Sequence, residues 1–426
     1  MLRSLLPVSA LLLGSALLLF AGGVNGLILP VRGTSENFSA FSLGLLGTGW
    51  AVGYVSGCLL TPGLVANTGH IRSFAVMAAV AAVAILSSLL FLTPWAWIPL
   101  RALSGFCFAG AAMIVESWLS ERTAPGDRGR VFGLYTMVNL VASTAGQMSL
   151  TLGPTDTHLY FVLGAILYSL ALLPVAISTS ATPKPLVTVR LDLRALWRNS
   201  PVALFAVFMV GMSNGAFGTL AAVYADGVGI TLTGVALFSS MPILAGALAQ
   251  IPVGLASDKL DRRIVLLAIA VVAIGADALF IWLSPEDEAV NMALACLYGA
   301  AVFSMYPVII AHANDHAADG TFIQTSGGLL MVFGLGSIAG PLLAGVGMSQ
   351  FGGTGLFMVS LLAHVLIVLF TLYRIGSRAA VPDARKGNFQ AAPPGRALTP
   401  ETAVLAAEEG ADNRPDRRRG PATTKT

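Results

Sequence analysis

Charge is what this sequence is short of. Charged residues make up 11% of its 426 positions and hydrophobic residues 56%, where a soluble protein carries about 25% charge. A water-facing surface cannot be covered from that composition, so a soluble globular fold is excluded. The shortage is also uneven, because ten of the 24 Lys and Arg residues lie from Arg374 onward. Cysteine is equally scarce. Cys58, Cys107 and Cys296 stand singly in apolar segments, with no C-x-x-C spacing or adjoining His cluster, which argues against a disulfide framework or a zinc site. The net charge of +3 follows membrane sidedness and forms no basic nucleic-acid surface. A G-x-x-x-x-G-K-[ST] phosphate loop is missing, and the G-x-S-x-G spacing occurs once, Gly211 to Gly215, inside a long apolar run and not at a strand-to-helix turn. ATP is therefore not the evident energy source, and neither an enzyme nor a cofactor is expected.

What is present is a series of long apolar runs. A bilayer-crossing helix needs roughly 20 predominantly apolar residues. Such stretches are predicted at 7–29, 41–60, 73–92, 95–119, 131–152 and 159–177, and again at 202–224, 232–256, 264–283, 289–311, 321–346 and 356–373. The first of these continues too far to read as a signal peptide. Between the two sets, 179–200 carries Pro183, Lys184, Pro185, Arg190, Arg194 and Arg198 and cannot span. The chain thus divides into a first bundle over 1–178, a linker, a second bundle over 201–376 and a Pro-, Ala- and charge-rich tail over 377–426 that is expected to be disordered. With the N-terminus in the cytoplasm, 22 of the 24 basic residues fall on the cytoplasmic side, leaving Arg32 outside and Arg101 within a span. That bias places both termini inside. The halves also repeat: Asn25-Gly26 recurs as Asn214-Gly215, Gly63 as Gly254 and Gly146 as Gly340, at nearly constant separation, as in carriers built from parallel repeats.

Polar residues inside spans are the candidate functional groups. Arg101 is the sharpest, lying about 9 Å below the outer surface, where an unpaired charge must face protein or a water-filled cavity. It would contact an anionic substrate or modulate a proton-carrying group. Glu116 is fifteen residues further on, about 22 Å away, and cannot pair with it. Asn25 and Asn214 sit in glycine-containing segments where a helix interruption would expose backbone to a solute. Gln147, Gln250, Tyr298, Tyr306 and Gln324 point to an interior face on weaker grounds. Asp277 reads equally as a protonated or snorkelling carboxylate and as a coupling site, and His364 as a hydrogen-bonded structural histidine. His312 and His316 cap or gate a helix end, since no H-E-x-x-H pattern supports a metal. Gly336 and Gly340, four apart beside Pro341, suit close helix packing at a moving interface.

Several motifs resemble those of the major facilitator superfamily. "GLASDKLDRR", Gly254 to Arg263, matches its loop signature, while "GLVANTGHIR", Gly63 to Arg72, has Asn67 where an acid is usual. "RALSGFCFAG" from Arg101 resembles the fourth-helix motif, and "ESWL", "RGR", "MYP" and "AHAND" resemble the YcaD-like branch. This resemblance implies an all-α polytopic membrane protein of twelve transmembrane helices in two six-helix parallel repeats, with the first and seventh helices lining a cavity. It further implies ionic latches at the cytoplasmic mouth: Glu116 with Arg72, Arg128 and Arg130, and Asp258, Arg262, Arg263 and Asp315 in the second half. The expected function is secondary transport of a small organic solute across the bacterial inner membrane by a monomer. Proton coupling and outward movement are the expected form, and ligand binding without flux is the alternative.

Overall fold

The computed structural model describes residues 2–123, 127–176, 186, 188, 191–318, 321–377, 381–382, 386–387, 389–392 and 399–402, with the side chains of 2–8, 128 and 129 outside the description. No strand occurs among the described residues. The first half comprises α1 (Leu2–Ser35), α2 (Ala40–Thr68), α3 (His70–Leu90), α4 (Pro94–Arg122), α5 (Arg128–Met148) and α6 (Leu159–Ala176). A two-turn helix in the linker, α7 (Leu193–Asn199), precedes the second half. That half comprises α8 (Pro201–Gly227), α9 (Leu232–Lys259), α10 (Arg262–Leu283), α11 (Glu288–His316), α12 (Phe322–Phe351) and α13 (Gly355–Ser377). The twelve long helices match the twelve apolar runs.

The helix starts are written locally. The side chains of Ser39, Ser200, Thr231, Asp261 and Asp287 each accept a backbone N–H from the first turn of the helix that follows. Each satisfies a donor that has no intrahelical partner. Large apolar side chains such as Val83, Leu248, Ile251, Leu255 and Leu369 face outward on these helices, an arrangement water would penalise and lipid does not. Ten described segments are long and apolar enough to cross a membrane, one of which, Phe322–Ser377, takes in both α12 and α13. The helix missing from that set is α5, for a reason that the cavity supplies below.

The internal repeat reappears as contact geometry. A Cβ on Gly146 of α5 would meet the Phe20 carbonyl of α1 at 2.2 Å, and one on Gly340 of α12 would meet the Met212 carbonyl of α8 at 2.0 Å. Likewise, a Cβ on Gly105 of α4 would overlap the Trp50 carbonyl and one on Gly299 of α11 the Pro242 carbonyl. Each half therefore contains the same two pairs of helices in backbone contact, which only a residue without a side chain allows. The expectation that Gly336 and Gly340 mark a moving interface is corrected here. Both lie against α8, within their own half.

Contacts between the halves gather toward the end of the bundle where α1 turns into α2. Thr48 donates its hydroxyl to the Ile338 carbonyl at 3.0 Å, a Cβ on Gly44 would lie 2.4 Å from the Pro341 carbonyl, and one on Gly47 would overlap Thr219. At the opposite end, which carries the basic loops, parts of the tail stand between the halves. Gln250 of α9 exchanges two hydrogen bonds with the Ala392 backbone, Phe389 donates its N–H to Asp258, and Thr399 and Thr402 reach Glu116 of α4. The expected disorder of the tail does not hold for these stretches. Their backbone groups find side-chain partners that a solvated chain would leave to water. Linker residue Leu196 packs over Gly328 in the same region.

Candidate solute cavity and its surrounding gates

Helices from both halves enclose a cavity of about 190 Å³. Its walls come from α1, α2, α4, α5 and α6 on one side and α8, α9 and α11 on the other. One face of α5 supplies Thr136, Asn139, Leu140, Ser143 and Gln147, residues three or four apart that share a helical stripe. This polar stripe explains why α5 is less apolar than its neighbours: it faces the cavity instead of lipid. The Ser15 hydroxyl donates to Asn139 at 2.8 Å and ties the stripe to α1. A smaller void of about 40 Å³ between α2, α8 and α12 shares Trp50 and Asn214 with the main one.

Arg101 lines this cavity, 6% exposed, and is the only charged residue in the lining among the described residues. Among the described residues its guanidinium has no ion pair or hydrogen bond, and Tyr168 is its polar neighbour. The positions 194 and 195 residues further on are Ala295 and Cys296, so the charge has no counterpart in the repeat. Asn25 and Asn214 also line the cavity, from opposite halves. The helix interruptions expected around them are absent, since α1 and α8 run unbroken through both positions. Their neighbouring glycines serve packing instead: Gly23 abuts Ser143 and Gly215 abuts Ser337. The side-chain oxygens of Asn25, Asn214 and Gln147 are buried without a hydrogen-bond partner.

Other candidates fall elsewhere. Gln250 is engaged by the tail. Tyr298 is fully buried, hydrogen-bonded to Ser360 at 2.9 Å and stacked on Phe217. Tyr306 packs edge-on against Phe333. Gln324 is exposed at the start of α12, because the polar first turn of that helix lies outside the buried stretch. None of these four is in the cavity lining, so the interior face assigned to them does not form part of it. The sequence reading missed Tyr135, Thr136, Asn139, Ser143, Tyr168 and the aromatic wall of Trp50, Phe108, Phe217 and Phe303. The period of the polar residues along α5 was the signal that could have revealed its share.

The two expected latches differ. In the second half, Arg262 pairs with Asp315 at 2.6 Å and approaches Asp258 at 3.7 Å, and it also donates to Ser257 and to the Gly387 carbonyl. Arg263 turns to Asp261 at 2.7 Å, a partner two residues away that caps the same helix. In the first half the arginine latch is not formed among the described residues. Arg72 and Arg130 are exposed, and the Arg128 side chain lies outside the described residues. Glu116, 0% exposed, instead accepts hydrogen bonds from Tyr135 at 3.0 Å, from Thr402 at 2.8 Å and from Thr399. Three hydroxyls satisfy a buried carboxylate without a counter-ion. Gly254 of the loop signature is covered by the Phe389 ring.

Asp277 and His364 face one another at 2.7 Å, both fully buried between α10 and α13. A snorkelling Asp277 is thereby ruled out, and His364 is the hydrogen-bonded histidine it was read to be. Asp277 Oδ1 and His364 Nε2 have no further partner. At the inner end of α11, His316 Nδ1 lies 2.9 Å from the His312 carbonyl, closing the last turn of the helix.

A sequence profile described as Major Facilitator Superfamily matches residues 11–319 and, in a second alignment, 203–407. The chain is 27% identical over 374 residues to "Uncharacterized MFS-type transporter Ent638_1421" of Enterobacter sp. (strain 638), covering 87% of this chain and 96% of that one. Over 370 residues it is 27% identical to "Uncharacterized MFS-type transporter YcaD" of Escherichia fergusonii, covering 86% and 95%. The fold is similar to that of the nucleoside transporter NupG, with a TM-score of 0.70 at 16% identity over 87% of this chain and 98% of the other.

Proposed function

The chain belongs to the Major Facilitator Superfamily, and from that premise we propose that it is a secondary carrier moving a small organic solute across the bacterial inner membrane by alternating access. The observation that carries this reading is the cavity. It is walled by both halves and closed toward the α1–α2 end by contacts between them, so rocking the halves about it would expose it to one side and then the other. Both termini are assigned to the cytoplasm on the distribution of Lys and Arg. The sealed end is then the outer one, and the tail segments that stand between the halves lie at the basic, cytoplasmic end.

Arg101, Asn25, Asn214 and Gln147 are the proposed solute contacts. The proton-carrying group is assigned to Glu116, the carboxylate whose Tyr135 partner also lines the cavity. A proton on Glu116 would change what its three hydroxyl partners can donate to, and so couple its charge to the cavity wall. Arg262 and Asp315 are assigned to the inner gate.

Reconstitution into proteoliposomes tests the reading. Movement of a labelled organic solute that saturates, and that accelerates under an imposed pH gradient, is the expected result. Glu116→Gln should remove the pH dependence while leaving solute exchange in place. A solute that binds but does not move would overturn the carrier reading and favour a receptor.

A further inference from the structure

The cavity also specifies the chemistry of its cargo. Resting on the carrier reading, we propose that it takes a compact amphiphilic organic monoanion, whose oxyanion group pairs with Arg101 while a ring or short apolar chain lies against Trp50 and Phe108. Sign comes first. Arg101 is 6% exposed and, among the described residues, is the only charge in the lining. Its guanidinium has no internal counter-ion among the described residues. Glu116 is fifteen residues along the same helix, about 22 Å away, and Asp277 is already paired with His364. Burying an unpaired charge at membrane depth is costly, and an incoming anion removes that cost. The planar guanidinium offers two parallel N–H groups to a carboxylate.

Charge count follows from the same fact. A dianion would leave one negative charge uncompensated in an apolar enclosure, so a monoanion fits. An aromatic wall by itself would also suit an organic cation, but here a fixed positive charge opposes one. The side-chain oxygens of Asn25, Asn214 and Gln147 are buried without a partner and can accept from a hydroxyl on the ligand. They add hydrogen-bond demand without altering the sign. Size is set by the cavity's 190 Å³, a little above the ~150 Å³ that encloses a benzene ring. That leaves room for one ring and its acidic substituent.

The test uses three matched probes on the purified full-length protein: 4-hydroxyphenylacetate as the anion, 4-hydroxyphenylethanol as the neutral analogue and tyramine as the cation. Binding is read by titration calorimetry at neutral pH. The carboxylate is expected to bind at least about tenfold more tightly than either analogue. Arg101→Gln should erase that preference, and Arg101→Lys, which keeps the charge but loses the fork, should retain part of it. Size-exclusion profiles of both variants check that each is folded. Tyramine binding as tightly as the carboxylate, an undiminished preference in folded Arg101→Gln, or no binding of any probe at millimolar concentration would overturn the proposal. Flux separates this inference from the one it rests on. Carboxylate binding without movement in proteoliposomes would sink the carrier reading alone, whereas saturable movement of tyramine in preference to the carboxylate would sink the monoanion alone.

Discussion

Leucine at His364 should leave Asp277 as a buried carboxyl with no strong partner. In the native protein the two lie 2.7 Å apart at zero exposure, and Asp277 Oδ1 already lacks a hydrogen bond. The surroundings offer little relief: the Tyr298 ring lies 6.1 Å from that of His364, and its hydroxyl already engages Ser360 at 2.9 Å. Breaking a buried pair by removing one member typically costs about 3–5 kcal/mol, whereas replacing both members with apolar residues is often neutral. His364→Leu and Asp277→Leu should each destabilise by roughly that amount, and the double variant should recover most of it. The implied coupling is at least about 3 kcal/mol. Reversible unfolding in mixed micelles, run on all four proteins of the cycle, measures it. The cavity lies elsewhere, so solute binding by the folded double variant should be unchanged. A coupling below about 0.5 kcal/mol, the scatter of independent sites, would refute the argument that these groups act as a pair.

Three further outcomes are expected. A Cβ on Gly334 would lie 3.9 Å from the Val55 Cβ across the two halves, within disulfide range; oxidising Val55→Cys/Gly334→Cys should therefore form a bond and arrest flux, with reductant restoring it, and full flux in the cross-linked protein would refute motion at this contact. Ending the chain at Ser377 removes Thr399 and Thr402 from Glu116, so carbodiimide labelling of Glu116, read by peptide mass spectrometry, should rise from near zero; unchanged labelling would mean that the tail does not cover it. Asp261, pushed up by burial but more strongly held down by the hydrogen bonds from Arg263, titrates below the usual carboxylate range. Its stabilisation is therefore present above the unfolded value of about 4 and lost as pH falls through the lower folded value; Asp261→Ala should cost about 0.5–2 kcal/mol at neutral pH through loss of the α10 cap, and the difference from the native protein should vanish in acid.

Hydrophobic run length and the Lys/Arg bias make the twelve helices legible in the sequence, because bilayer thickness sets the first and cytoplasmic retention of basic loops the second. The repeat was legible through Asn25/Asn214 and Gly146/Gly340, and the last pair proved to be equivalent contacts in the two halves. Arg101 could be placed in a cavity because a lone charge in hydrocarbon has few other places to go. Partnerships between distant segments were not legible. Asp277 and His364 are 87 residues apart, and nothing in either local pattern names the other. The family resemblance implied arginine partners for Glu116, yet hydroxyls from 283 and 286 residues away reach it. Gln324 shows the converse: a polar residue at the edge of an apolar run marks either a cavity or a helix end, and spacing alone does not separate the two.

The tail's two moorings stand on different bodies, Ala392 on α9 and Thr399 on α4. Seven peptide steps join them, a leash of at most about 25 Å when fully drawn out. Once the halves part further than that at the basic end, one mooring must slip. The chain thus carries its own ruler across the gap, and a fluorophore at Thr399 would read which side of that length the two halves are on.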